Sequence, residues 1–135
     1  ILIMFDNDMY IINRSKLFNS YSKVYILSNV LINCRVKLSQ KVRQFKEDLI
    51  YKINKLIPNS EVITSNELEI LLFDQRYIDV LYPGVGHNLD SINKYANQNQ
   101  IIINYIYREE DLKYWNFTNS GFYKFKRSFY RLNNF

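Results

Sequence analysis

Ile1-Leu2-Ile3-Met4-Phe5-Asp6-Asn7-Asp8 is the stretch on which the fold turns. Five consecutive apolar side chains give way in one step to Asp-Asn-Asp. A continuous apolar run without alternation is the pattern of a strand covered on both faces. Such a strand needs covering layers, and the rest of the chain offers helices for them. Residues 24–33 form a second strand candidate. Residues 36–57 read as a helix, with Val42, Phe45, Leu49, Ile53 and Leu56 recurring every three or four positions. Pro58-Asn59-Ser60 ends it.

Further on, the pattern predicts a helix from about 66 to 82. Ser65 or Asn66 is its expected cap, with Glu67 and Glu69 in the first turn, and Pro83-Gly84 is its stop. Residues 84–88 read as a turn-rich loop, 90–96 as a short helix and 101–107 as a third strand. Strands alternating with helices argue for an α/β layer architecture. Linkers, repeats and low-complexity stretches are missing from the pattern, so the chain reads as one unit with a distinctive tail.

The composition narrows the function classes. The chain has 135 residues, is 47% hydrophobic and 23% charged, and so reads as globular rather than disordered. Its apolar runs fall short of the roughly 20 residues of a membrane-spanning helix. Neither a basic stretch nor a small-residue cleavage site marks a secretory signal. With one cysteine, Cys34, and one histidine, His87, neither a disulfide framework nor a multi-histidine metal site can form. Cys34 reads as a small buried apolar side chain and His87 as a loop residue. The net charge of +5 is uneven: residues 1–112 hold 13 acids and 13 bases, and the excess comes from Lys113, Lys124, Lys126, Arg127 and Arg131. The opening on Ile1, in a strand already under way, leads to the expectation of a piece of a longer protein.

Asp6 and Asp8 are the chemistry-bearing feature. Two carboxylates two residues apart at a strand end lie where α/β sheets bind ligands, and their hard oxygens suit Mg²⁺ or Mn²⁺. The alternative is that they solvate the strand end. Around them, residues 1–18 (ILIMFDNDMYIINRSKLF) resemble the donor-site segment of glycosyltransferase family 8. Tyr25-Ile26-Leu27-Ser28-Asn29-Val30-Leu31-Ile32-Asn33 resembles a later strand of that family, and Asp74-Gln75 its helical D-Q pair. Asn88 resembles its loop asparagine, Ile102-Ile103-Asn104-Tyr105 its -I-I-H-Y/F segment, and Lys113-Tyr114-Trp115 its K-P-W.

The resemblance implies a GT-A-like, Rossmann-related mixed sheet flanked by helices, lacking the N-terminal nucleotide-binding strands. It implies a partial catalytic domain over 1–115 and a basic aromatic tail over 116–135. The implied activity is transfer of a hexose from a UDP-sugar to a saccharide acceptor, lipopolysaccharide or another surface glycan. Mn²⁺ or Mg²⁺ would be held by Asp6, Asp8 and Asn104, the last standing where the family has a histidine. Asn7, Asp8, Asn88 and Lys113 would hold the donor, and Asp74 and Gln75 would line the sugar and acceptor. Glu109, Glu110 and Asp111 depart from the family pattern and would repel a diphosphate unless they point away.

In the tail, Phe122, Phe125, Phe129 and Leu132 would share one helical face opposite Lys124, Arg127 and Arg131. Such a stripe suits an anionic membrane surface, and equally suits packing on the domain. The expected location is the cytoplasm, with the tail on the inner face of the cell membrane. Lys37, Lys41, Lys46, Lys52 and Lys55 read as an ordinary solvated helix face. A haloacid-dehalogenase-like phosphohydrolase is the competing enzyme reading. It too opens with an apolar strand into D-x-D, and Ile26-Leu27-Ser28-Asn29 resembles its second motif, but its Gly-Asp pair is missing. A nucleic-acid-binding module built on the tail is disfavoured by the neutral remainder, and nucleic acid is not an expected partner.

Overall fold

The computed structural model describes residues 1–28, 39–115 and 122–133, with the side chains of 122–125 and 128 left aside. Strand β1, Leu2–Phe5, is buried at all four positions. It lies mid-sheet, as its unbroken apolar run predicts. Short helix α1 covers Ser15–Asn19 and strand β2 covers Val24–Leu27. Helix α2 runs over Gln40–Leu56, capped by the Ser39 hydroxyl accepting from Val42 N–H, and buries Ile50 and Ile53. The expected strand tail at 29–33, Cys34 and Lys37 lie outside the described residues.

Strand β3, Ser60–Ile63, was not expected. Only Ile63 in it is buried, so no apolar pattern announces it. The helix expected over 66–82 is in fact two elements. Helix α3 spans Ser65–Leu72, and strand β4 spans Tyr77–Leu81. Its cap is Thr64 rather than Ser65 or Asn66, in a reciprocal capping box with Glu67. Glu67 Oε2 accepts from the Thr64 backbone N–H at 2.7 Å, which holds the Glu67 carboxyl below its usual pKa. Helix α4, His87–Gln98, strand β5, Ile102–Ile106, and helix α5, Glu109–Tyr114, follow. Helix α6 covers Phe122–Leu132.

The sheet has the order β3-β2-β1-β4-β5, and every described pairing is parallel. The α/β class therefore holds, while the mixed sheet does not. Each connection carries a helix back across a face, the route that keeps neighbouring strands parallel. Alternate β1 side chains point to opposite layers. Ile3 and Phe5 pack with Leu68, Leu72, Ile92 and Ala96 of α3 and α4. Leu2 and Met4 pack with Phe18 of α1 and Ile50 and Ile53 of α2. Among the described residues no helix is long and apolar enough to cross a membrane.

Candidate functional site

Parallel strands put all their C-terminal ends on one edge. The order reverses direction at β1, with β2 and β3 to one side and β4 and β5 to the other. Ligands of open α/β sheets bind at such a switch point, in the crevice beyond the strand ends. Asp6 follows β1 there, and its side chain is 2% exposed. Lys46 on α2 brings Nζ to 3.9 Å from Asp6 Oδ2. Lys46 thus leaves the solvated stripe in which its spacing had placed it. Phe5 pairs with Leu27, so Asp6 and Ser28 are the next pair along the two strands. Ser28 N–H donates to Ile63 O at 3.0 Å, which extends the ladder one residue past β2.

The loop after Asp6 is cross-braced. Asn7 Nδ2 donates to Pro83 O at 2.8 Å, across the crevice to the exit of β4. Arg14 Nη1 donates to Asp8 Oδ2 at 3.2 Å and to Tyr10 O at 3.0 Å. Gly84 and Gly86 carry φ of 78° and 142° in the loop opposite, a conformation that L side chains resist. Gly86 O then accepts from Asp90 N–H at 3.0 Å to begin α4.

A cleft of about 550 Å³ opens over the crevice, with Asn7, Asp8, Tyr82, Arg108, Asp111 and Trp115 among its lining residues. Its cation is Arg108 rather than Lys113. Arg108 donates from Nε and Nη2 to the two Asp111 oxygens at 2.9 and 3.3 Å, which holds its pKa above its usual value. Asp111 is therefore charge-compensated, not a bare acid facing the cleft. Lys113 Nζ sits 5.2 Å from the centroid of the Tyr114 ring.

The expected site residues separate into two groups. Asp6, Asn7 and Asp8 share the C-terminal edge, and Asn88, in the first turn of α4, lies on that edge too. Asp74 and Gln75 do not join them. They sit in the turn before β4, where Gln75 N–H donates to Leu72 O at 3.0 Å, on the opposite edge of the sheet. Nor does Asn104, which pairs in register with Asp79, itself opposite Leu2. That is four residues back from Asp6, about 13 Å along the strands. Asn104 Nδ2 donates to Asp79 Oδ1 at 2.9 Å, and Tyr21 Oη donates to Asp79 Oδ2 at 2.6 Å.

No group of three or more histidine, cysteine, aspartate or glutamate residues suited to a metal occurs among the described residues. Asp6 and Asp8 nonetheless fit an Mg²⁺ shared with a substrate phosphate, since that ion commonly takes one or two carboxylates and completes its shell with water and phosphate oxygens. They do not form a self-sufficient protein cage, and Asn104 drops out of the set. His87 is the first residue of α4, not a loop residue, with Nε2 3.5 Å from Ser91 Oγ. In the tail, the rings of Phe129 and Tyr114 lie 5.3 Å apart, and Asn133 meets the Tyr114 hydroxyl at 3.0 Å. The Phe122 and Phe125 side chains, and residues 116–121, lie outside the described residues.

Lys46, Arg14, Arg108 and Tyr82 carried no sequence signal, because their roles depend on which helix faces which strand end. No protein-family model matches the chain, and no curated protein or solved structure matches it either.

Proposed function

We propose that the C-terminal edge of this sheet is a phosphoryl-transfer site of the haloacid-dehalogenase-like kind, with Asp6 as nucleophile. The observation that carries the reading is the buried Asp6 carboxylate at the end of central strand β1, faced by Lys46 at 3.9 Å. A carboxylate held this way can attack phosphorus. An Asp6 oxygen forms the new P–O bond, the ester P–O bond breaks, and the departing alkoxide takes a proton from water, leaving hydroxide. Water then hydrolyses the acyl phosphate, freeing phosphate and the Asp6 carboxylate, and the proton it gives up neutralises the hydroxide left by the first step. Lys46 and the Ser28 segment stabilise charge on the phosphoryl oxygens. Mg²⁺, when bound by Asp6 and Asp8, would neutralise further phosphate charge.

Glycosyl transfer from a UDP-sugar ranks behind this reading. It asks Asp74, Gln75 and Asn104 to meet the donor near Asp6, and they lie elsewhere on the sheet. Attachment of the tail to anionic membrane, with Phe129 packed on Tyr114, finds less support than docking on the domain.

The test is hydrolysis of p-nitrophenyl phosphate with Mg²⁺. Asp6→Asn should lower turnover by roughly 10³-fold or more, and Lys46→Met by about tenfold or more. Undiminished turnover in Asp6→Asn would overturn the assignment. Release of UDP from a UDP-hexose, without phosphate-ester hydrolysis, would favour glycosyl transfer.

A further inference from the structure

An open sheet ends in two edge strands, here β3 and β5. The outward N–H and C=O groups of such a strand are a template for another strand, and charge, proline or a bulge blunts it. Strand β3 is blunted: it carries Glu61, ion-paired with Lys23 at 2.9 Å. Strand β5 is not. Its Ile102-Ile103-Asn104-Tyr105-Ile106 holds neither a charge nor a proline, and its register with β4 runs unbroken through all five residues.

Hydrogen bonds fix which groups of β5 face outward. Ile102 N–H donates to Arg76 O at 2.9 Å, and Ile106 O accepts from Tyr82 N–H at 3.0 Å. Ile102, Asn104 and Ile106 thus direct their main-chain groups to β4, and in a parallel ladder the residues between them point theirs away. Ile103 and Tyr105 therefore present N–H and C=O to the open side, and among the described residues nothing bonds to them there. Ile102 keeps 58% of its surface exposed, and Asn104 is exposed as well.

The strand is also self-complementary. Turned antiparallel about a two-fold axis at Asn104, it sets Ile103 opposite Tyr105 of a second copy, where the two residues exchange both N–H···O=C bonds. Ile102 then faces Ile106 on one side of the sheet, while Ile103 faces Tyr105 on the other. Pairs of β-branched residues with each other and with aromatics stabilise a ladder, and the residue that meets itself is a neutral amide, so no like charges oppose. Moving the axis to Ile103 would set Ile102 against the polar Asn104. It would also call on Ile101 N–H, already donated to Ala96 O at 2.9 Å.

We propose that β5 is a self-association edge: two copies of this chain pair β5 antiparallel about a two-fold axis at Asn104 and join their sheets into one. The C-terminal edges of the two copies then point in opposite directions, so the pairing stands or falls independently of the phosphoryl-transfer reading of Asp6.

Sedimentation velocity of the full chain over a concentration series reads the stoichiometry. A species of twice 16.4 kDa should grow in as concentration rises. Ile102→Lys, at an exposed position, puts a cation into the pairing surface and should weaken self-association by about tenfold or more. The axis is read by cross-linking in a Cys34→Ser background, since Cys34 is the one native thiol. Asn104→Cys places the new thiol opposite its counterpart in a non-hydrogen-bonded pair, where Cα atoms lie about 4.5 Å apart and within disulfide reach. It should give a covalent dimer on mild oxidation. Ile102→Cys places the thiols about 13 Å apart along the strands and should not. A chain that stays at 16.4 kDa throughout, or self-association that Ile102→Lys leaves unchanged, would overturn the proposal. So would a disulfide that forms as readily from Ile102→Cys as from Asn104→Cys. Species larger than the dimer would overturn it too, because a two-fold pairing leaves no free β5 edge.

Discussion

Replacing Tyr21 by Phe removes one oxygen atom and tests how the sheet is locked beneath its functional edge. Tyr21, in the connection between α1 and β2, donates at 2.6 Å to Asp79 Oδ2 on β4, whose other oxygen accepts from Asn104 on β5. The charged acceptor makes the bond one of the stronger kind, and partial access of water reduces the cost of losing it. The expected loss is about 1–2.5 kcal/mol, or a fall in Tm of roughly 4–10 °C for a chain of this size. The pH dependence is the sharper readout. Burial first, then the hydrogen bond and charge of Asp79, raise the Tyr21 phenol above its ordinary pKa of 10.0. The unfolded phenol releases its proton near pH 10.0, while the folded phenol keeps it to higher pH. Its contribution is therefore complete below that pH and is lost as the pH rises toward the folded value. Urea unfolding followed by circular dichroism should show the parent chain losing stability above pH 10.0 more steeply than Tyr21→Phe. Equal alkaline slopes, or a loss under about 0.5 kcal/mol at neutral pH, would refute the reasoning.

Two further outcomes test the frame around the site. Asn59 Nδ2 donates to Phe18 O at 2.9 Å and to Tyr21 O at 2.8 Å, so Asn59→Ala leaves two partly buried carbonyls without that donor. A loss of about 2–4 kcal/mol is expected in the same unfolding assay. Met4 is fully buried between β1 and the α1–α2 layer, and Met4→Ala should cost about 2–5 kcal/mol. Because Met4 precedes Asp6 by two residues, phosphate-ester turnover measured well below the unfolding midpoint should fall less in Met4→Ala than in Asp6→Asn.

Strand β1 was legible because five apolar residues in a row leave few alternatives, and α2 because apolar residues recur at helical spacing, although Val42, Phe45 and Leu56 of that series are exposed and the buried face is carried by Ile50 and Ile53. The segment Tyr77–Leu81 was not. Tyr-Ile-Asp-Val-Leu continues a helical spacing as well as it begins a strand. Nothing within it states that it lies between β1 and β5. Reading it as helix carried Asp74 and Gln75 onto a helix as well, when they occupy the turn at the far edge. Strand β3 escaped notice for a simpler reason. It is an edge strand with one buried side chain, and its partner β2 lies more than thirty residues earlier in the chain.

Order along the chain was thus enough for the α/β class, for the position of β1 and for the carboxylates Asp6 and Asp8 at its end. Those features are local, and each is written in consecutive residues or a regular period. Which residues join those carboxylates was decided by the fold alone. Lys46 meets Asp6 because α2 crosses the face opposite α3 and α4. Arg108 and Trp115 reach the cleft because β5 joins the sheet beyond β4. Asn104 is kept from Asp6 by strand register, which depends on hydrogen bonds between segments distant in the chain. Side-chain type and spacing carry no record of those pairings, so the composition of the site appears only when the sheet is assembled.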